Sequence, residues 1–202
     1  MKDENLLLLP GRRHLLTRVL PAGALACLAC RGAFAAAESV QSGSGARVEM
    51  SYDEMFSMFY AQGLIPTMKA MAEEVGHADF VEMLKRAASK AAEEATRARL
   101  KADPKNDLAT LTAEMRNPGP LYRHTLSYEI LEDTPTAFEA SVTECLWAKT
   151  FRAADAGDIG YALLCYPDAA ATKVYNPKIR TTHSKTLMEG NDRCHFRHVM
   201  EG

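Results

Sequence analysis

Three cysteines, Cys145, Cys165 and Cys194, lie between positions 144 and 196 together with Asp168 and the chain's only tryptophan, Trp147. These side chains allow two kinds of chemistry. A thiolate can attack an electrophilic carbon while a nearby acid or base manages the protons. Alternatively, thiolates with Asp168 or a histidine can hold a zinc-like ion that activates water. Free cysteine is also among the most buried residue types, so core filling is a third reading. Cys194, Asp168 and Cys145 are the candidate catalytic residues because they come from three separate elements: Cys145 ends a strand, Asp168 starts or continues a helix, and Cys194 opens the final strand. Cys194 follows Gly190-Asn191-Asp192, where glycine permits close backbone approach and free amides can stabilise developing negative charge. Arg180, Asp192 and Tyr161 are the candidates for holding a substrate. A carboxylated substrate needs a cation, which Arg180 or Lys185 can supply, and strand alternation sends those two to opposite faces. Metal and cofactor stay open on these residues alone.

Other chemistries are excluded by what the chain lacks. It has no glycine-rich phosphate loop, no nucleophile elbow and no His-Glu-x-x-His helix, which removes nucleotide hydrolysis, serine hydrolase chemistry and the common zinc protease pattern. At 202 residues, 47% hydrophobic and 25% charged, the composition is that of one globular domain. The formal charge of -2 lacks the basic footprint of a nucleic-acid binder. The expected partner is a small molecule.

The first 35 residues read as an export signal. Arg12-Arg13 precede an apolar run over 19–29 that is too short for a stable membrane anchor, and Ala33-Phe34-Ala35 offers a small-x-small cleavage site. Paired arginines suggest the twin-arginine type, which implies a periplasmic or secreted mature protein. Cleavage removes five basic side chains (Lys2, Arg12, Arg13, Arg18, Arg31) and only two acidic ones (Asp3, Glu4), so the remainder is more acidic than the whole. It also removes Cys27 and Cys30, leaving an odd number of cysteines, and hence at least one thiol without an intramolecular partner. Residues 36–50 are Ser- and Gly-rich and read as a flexible spacer, leaving 51–202 as a single domain.

The elements that must position these residues can be read from periodicity. Ser51 and Glu54 form a capping box that starts a helix, with a bend or break expected around Gly63 and Pro66 and resumption to Gly76. A second helix is expected over 78–101 and a short one over 107–115, before the turn Asn117-Pro118-Gly119-Pro120. Alternation from Tyr122 to Leu131 predicts a strand, paired through Asp133-Thr134-Pro135 with another over 138–144. Residues 146–155 are expected to be helical, as is the stretch from Ile159 to Val174. Pro167 leaves two alternatives there: one continuous helix with Tyr161, Cys165, Asp168 and Thr172 on one face, or a break that puts Asp168 in a first turn. Strands over 179–187 and 193–199 close the chain, with Cys194, Phe196 and His198 on one face of the last. The fold class expected is α+β: N-terminal helices, a hairpin, two helices and a second hairpin, forming an antiparallel sheet covered by helices.

Several of these stretches together resemble the L-2-amino-thiazoline-4-carboxylic acid hydrolase family. They are Glu144-Cys145-Leu146-Trp147-Ala148, the Cys165 and Asp168 pair, Asn176-Pro177, Thr186-Leu187-Met188 and Gly190-x-Asp192-x-Cys194-x-Phe196. The resemblance implies a hydrolase that opens a cyclic isothiourea to N-carbamoyl-L-cysteine. The chain departs from the family pattern at His183 and His195 and in its export signal. From another class, the residues also allow a non-catalytic exported ligand-binding or sensor module with structural cysteines.

Overall fold

The structure, a computed structural model, describes residues 50–201. The export signal read over 1–35, and all but the last residue of the spacer, lie outside the described residues. The chain begins with a capping box: Ser51 Oγ accepts from the Glu54 amide at 3.2 Å while Glu54 accepts from the Ser51 amide at 2.8 Å. This starts α1 (Tyr52–Met55), a π-helical stretch (Phe56–Leu64) and α2 (Ile65–Val75). Where a bend or break is expected, around Gly63 and Pro66, the helix continues through this change of register. Ile65 donates to the Tyr60 carbonyl, five residues back, so Pro66, which has no amide, falls where the ladder is already shifting. Gly76, at φ 91°, makes the turn into α3 (His77–Ala102).

Two short helices follow, α4 (Leu108–Leu111) and α5 (Ala113–Arg116), the first capped by Asp107. The alternation at Tyr122 and His124 is not a strand; these residues lie in α6 (Pro120–Thr125). Pro120 supplies a helix-compatible φ at the start of that helix, and Thr125 Oγ1 donates back to the Leu121 carbonyl. Strands β1 (Leu126–Asp133) and β2 (Ala137–Cys145) form the first hairpin. After β2 come α7 (Leu146–Ala153), α8 (Gly157–Gly160), a second π-helical stretch (Tyr161–Cys165) and α9 (Asp168–Tyr175). Tyr166 donates to the Tyr161 carbonyl and Pro167 follows at once. Of the two alternatives at Pro167, the chain adopts the break, with Asp168 opening α9.

Strands β3 (Ile179–Lys185) and β4 (Cys194–Met200) are joined by a 3-10 turn (Leu187–Glu189), and the sheet runs β1-β2-β4-β3, antiparallel throughout. Register puts Phe138, Ala140 and Val142 of β2 opposite His198, Phe196 and Cys194 of β4. That face carries the helices, as α+β layering requires. One buried cluster gathers Ile65, Phe80, Phe151, Ile159 and Met188; another gathers Leu108, Phe138, Tyr175 and Ile179; Phe196 packs against both. Phe138 and Phe151, both 0% exposed, contribute on the order of 1.5–3 kcal/mol each by burial. Among the described residues, no helix is long and apolar enough to cross a membrane.

Candidate functional site

A cavity of about 560 Å³ lies between the helix-bearing face of the sheet and helices α3 and α9. Its volume suits a small molecule. Strand alternation turns Cys194, Phe196 and His198 of β4 and His183 of β3 inward, while Cys145 reaches it from the end of β2. The π-helical register before Pro167 brings Cys165 to the same wall and lets α9 present Asp168, Thr172 and Tyr175. The structure thus brings Cys145, Asp168 and Cys194 into the walls of one cavity.

The acid–base character of this site comes from burial. Asp168 has 55% of its side chain accessible, yet what it faces is the cavity, walled by protein. Loss of bulk solvent pushes its carboxyl up to about 7. Nε2 of His183 lies 3.6 Å from Asp168 Oδ2, near enough for ion-pair contact but beyond a direct hydrogen bond. Burial lowers the pKa of His183, opposed by the charge of Glu189. His198, whose Nδ1 is 2.7 Å from Thr181 Oγ1, is pushed down to about 4 by burial and by His183. Both imidazoles are therefore neutral at neutral pH, beside a carboxyl poised to titrate there.

The thiols are shifted the other way. Burial raises Cys145, although its Sγ accepts from the Ala148 amide at 3.5 Å and caps α7. Burial also raises Cys194, although its Sγ accepts from the Leu187 amide at 3.2 Å. Cys165 is pushed furthest, by burial and then by Asp168 and the other two thiols. Desolvation outweighs the amide donors, so all three rest as thiols at neutral pH. Among the described residues, no group of three or more His, Cys, Asp or Glu is gathered as a metal-holding cluster.

The three expected substrate contacts lie outside these walls. Arg180 is on the opposite face of β3, its Nε 2.7 Å from Glu201 Oε1. Asp192 is engaged by Arg193 at 3.0 Å and Lys185 at 3.5 Å, all well exposed. Tyr161, the first residue of the π-helical stretch, borders two neighbouring grooves instead. In their place the cavity takes Arg99 from α3, Tyr122 from α6 and the two histidines. Arg99 falls in the helix expected over 78–101, among charges that periodicity gives no reason to turn inward; the small residues Ala95 and Thr96 beside it were the available sign of close approach.

An antiparallel sheet covered on one face by helices, enclosing a cavity with an imidazole–carboxyl pair, defines an α+β domain. The chain belongs to the L-2-amino-thiazoline-4-carboxylic acid hydrolase family, which it matches over residues 53–198. No curated protein matches the sequence significantly. Among solved structures, the chain is similar to trafficking protein particle complex subunit 3 from Naegleria fowleri covalently bound to palmitic acid. That match has 12% identity and a TM-score of 0.42, and covers 74% of this chain and 95% of that one. It is also similar to the phenol-responsive sensory domain of the transcription activator PoxR with phenol, at 13% identity and a TM-score of 0.44, covering 70% of this chain and 74% of that one.

Proposed function

We propose that the cavity hydrolyses 2-amino-thiazoline-4-carboxylate to N-carbamoyl-L-cysteine, with Asp168 as the proton-transferring group. The observation that carries this is Asp168 itself, a cavity carboxyl raised to about 7 beside neutral His183. A general base is most effective when its pKa lies near the working pH. In its carboxylate form, Asp168 takes a proton from water as the water oxygen bonds to the ring carbon between nitrogen and sulfur. The proton passes to the ring nitrogen. On collapse of the tetrahedral adduct the hydroxyl proton travels through Asp168 to the departing ring sulfur. One water is consumed, a C–O bond forms, the C–S bond breaks, and a urea and a free thiol result. Family membership supports this substrate, and the protonated state of the three thiols favours water over a resting thiolate as the attacking group.

The test is turnover of 2-amino-thiazoline-4-carboxylate by the purified full chain, followed by thiol release. Thiol release that rises with pH through about 7 is expected, because the active form of Asp168 is ionised. Absence of any released thiol would overturn the reaction and favour a binding module. We also propose that Arg12 and Arg13 direct export: changing both to Lys should retain the precursor in the cytoplasm, and normal export of that variant would count against it.

A further inference from the structure

Among the described residues, Arg99 is the only Lys or Arg in the walls of the cavity. Its guanidinium carbon sits 4.7 Å from the centroid of the Tyr175 ring. That ring is an anchored surface: Tyr175 is 2% exposed and its hydroxyl donates to the Asp107 carbonyl at 3.1 Å. Stacking on an aromatic face holds the guanidinium flat and leaves its edge N–H groups free to bind a planar carboxylate in a fork.

The spacing along α9 completes the argument. Asp168 and Tyr175 are the two ends of that helix and both line the cavity. Residues seven apart fall on one helical face, about 10.5 Å from each other along the axis. A five-membered ring carrying an amidine carbon at one side and a carboxylate at the other spans roughly 5 Å. Adding a hydrogen bond of about 3 Å at each end gives about 11 Å between the end groups, a length that two helical turns can accommodate. Asp168 and Arg99 thus offer such a molecule a carboxyl at its amidine end and a guanidinium at its carboxylate end, with Glu114 a second carboxylate in the wall.

We infer that Arg99, held on Tyr175, is the carboxylate anchor of the site and makes it selective for cyclic amidines bearing a carboxylate about one ring away from the reacting carbon. The inference rests on the hydrolytic reading above for its substrate, but its test does not require turnover. Binding of 2-amino-thiazoline-4-carboxylate and of 2-amino-thiazoline, which lacks the carboxylate, is measured by calorimetry on the full chain, alongside kcat and KM where thiol release occurs. For the wild type the carboxylated compound should bind on the order of 10- to 100-fold more tightly, the scale of a charge-assisted, forked contact. Arg99→Gln should erase that difference by raising Kd and KM for the carboxylated compound while leaving the other unchanged, and Arg99→Lys should restore part of it. Tight, Arg99-dependent binding without thiol release would overturn the reaction and keep the anchor. Equal weakening of both compounds by Arg99→Gln, or equal binding of both by the wild type, would overturn the anchor. Failure of the wild type to bind either would overturn both.

Discussion

Each face of the sheet carries a histidine beside a carboxylate, in surroundings of opposite kinds. On the face away from the helices, His195 Nε2 lies 2.8 Å from Glu139 Oε1 and its Nδ1 lies 3.0 Å from Ser184 Oγ. Arg197 then joins Glu139 at 2.9 Å and Glu132 at 2.6 Å. Each of these groups already has partners, and none borders the cavity. On the helix-bearing face, His183 and Asp168 stand 3.6 Å apart, border open space, and are each driven by burial toward the neutral form. The comparison teaches that the pair of residue types is not what makes a site. What matters is desolvation that moves a pKa toward neutrality, together with room for a reactant.

The sharpest way to break this comparison is to neutralise the carboxylate of each pair in turn. Asp168→Asn should lower kcat/KM for 2-amino-thiazoline-4-carboxylate by on the order of a hundredfold or more. Glu139→Gln should leave it within about threefold and cost about 0–1 kcal/mol of stability, the range for partly exposed ion pairs. Equal loss of rate in both variants, with folding intact, would mean that the two faces do not differ in the way argued here.

A second contrast concerns the thiols on the cavity side. With desolvation holding Cys145, Cys165 and Cys194 in the protonated form, iodoacetamide at pH 7 should label the folded protein slowly and the urea-unfolded protein rapidly, a difference on the order of tenfold or more. Rapid labelling of Cys194 alone in the folded state would restore the nucleophilic reading of that residue. Cys194→Ser should keep an acceptor for the Leu187 amide and so preserve the fold.

Much of this arrangement was legible in the sequence. Alternation alone assigned Cys194, Phe196 and His198 to one face of the last strand, and all three line the cavity. The α+β class followed from the switch between helical and alternating periods, and the Ser51 cap and the Gly76 turn lie where their residue types placed them. Other features were not legible because they depend on contacts distant in sequence. Tyr122 and Leu126 are compatible with a helical turn as well as with alternation, and the start at Pro120 decided for the helix over 120–125. Both π-helical stretches end just before a proline, at Pro66 and Pro167, and no period count reveals a shifted ladder. Arg180 was chosen as a cation of the third strand, whereas Arg99 meets the cavity only because α3 packs alongside α9.

The most direct reading of the difference between the faces is in stability against pH. Asp168 holds its proton up to about 7 in the folded protein, against an ordinary value of 3.8. Between those two values the folded state binds a proton that the unfolded chain has released, so this group's contribution to stability falls as pH rises through the window. His198 works in reverse: with its folded value near 4 against 6.5 ordinarily, the unfolded chain binds the extra proton, and stability rises over nearly the same range. In the wild type the two trends oppose one another, with His183, also lowered by burial, adding to that of His198. Asp168→Asn removes the first trend alone, so its unfolding midpoint relative to wild type should climb steadily from pH 4.5 to pH 7. His198→Gln removes the second, and its relative midpoint should decline over the same interval. Glu139→Gln, on the other face, serves as the control for removing a carboxylate with filled surroundings. If the Asp168→Asn and wild-type midpoints run parallel across the window, the cavity solvates that carboxylate as bulk water would, and the distinction between the two faces collapses.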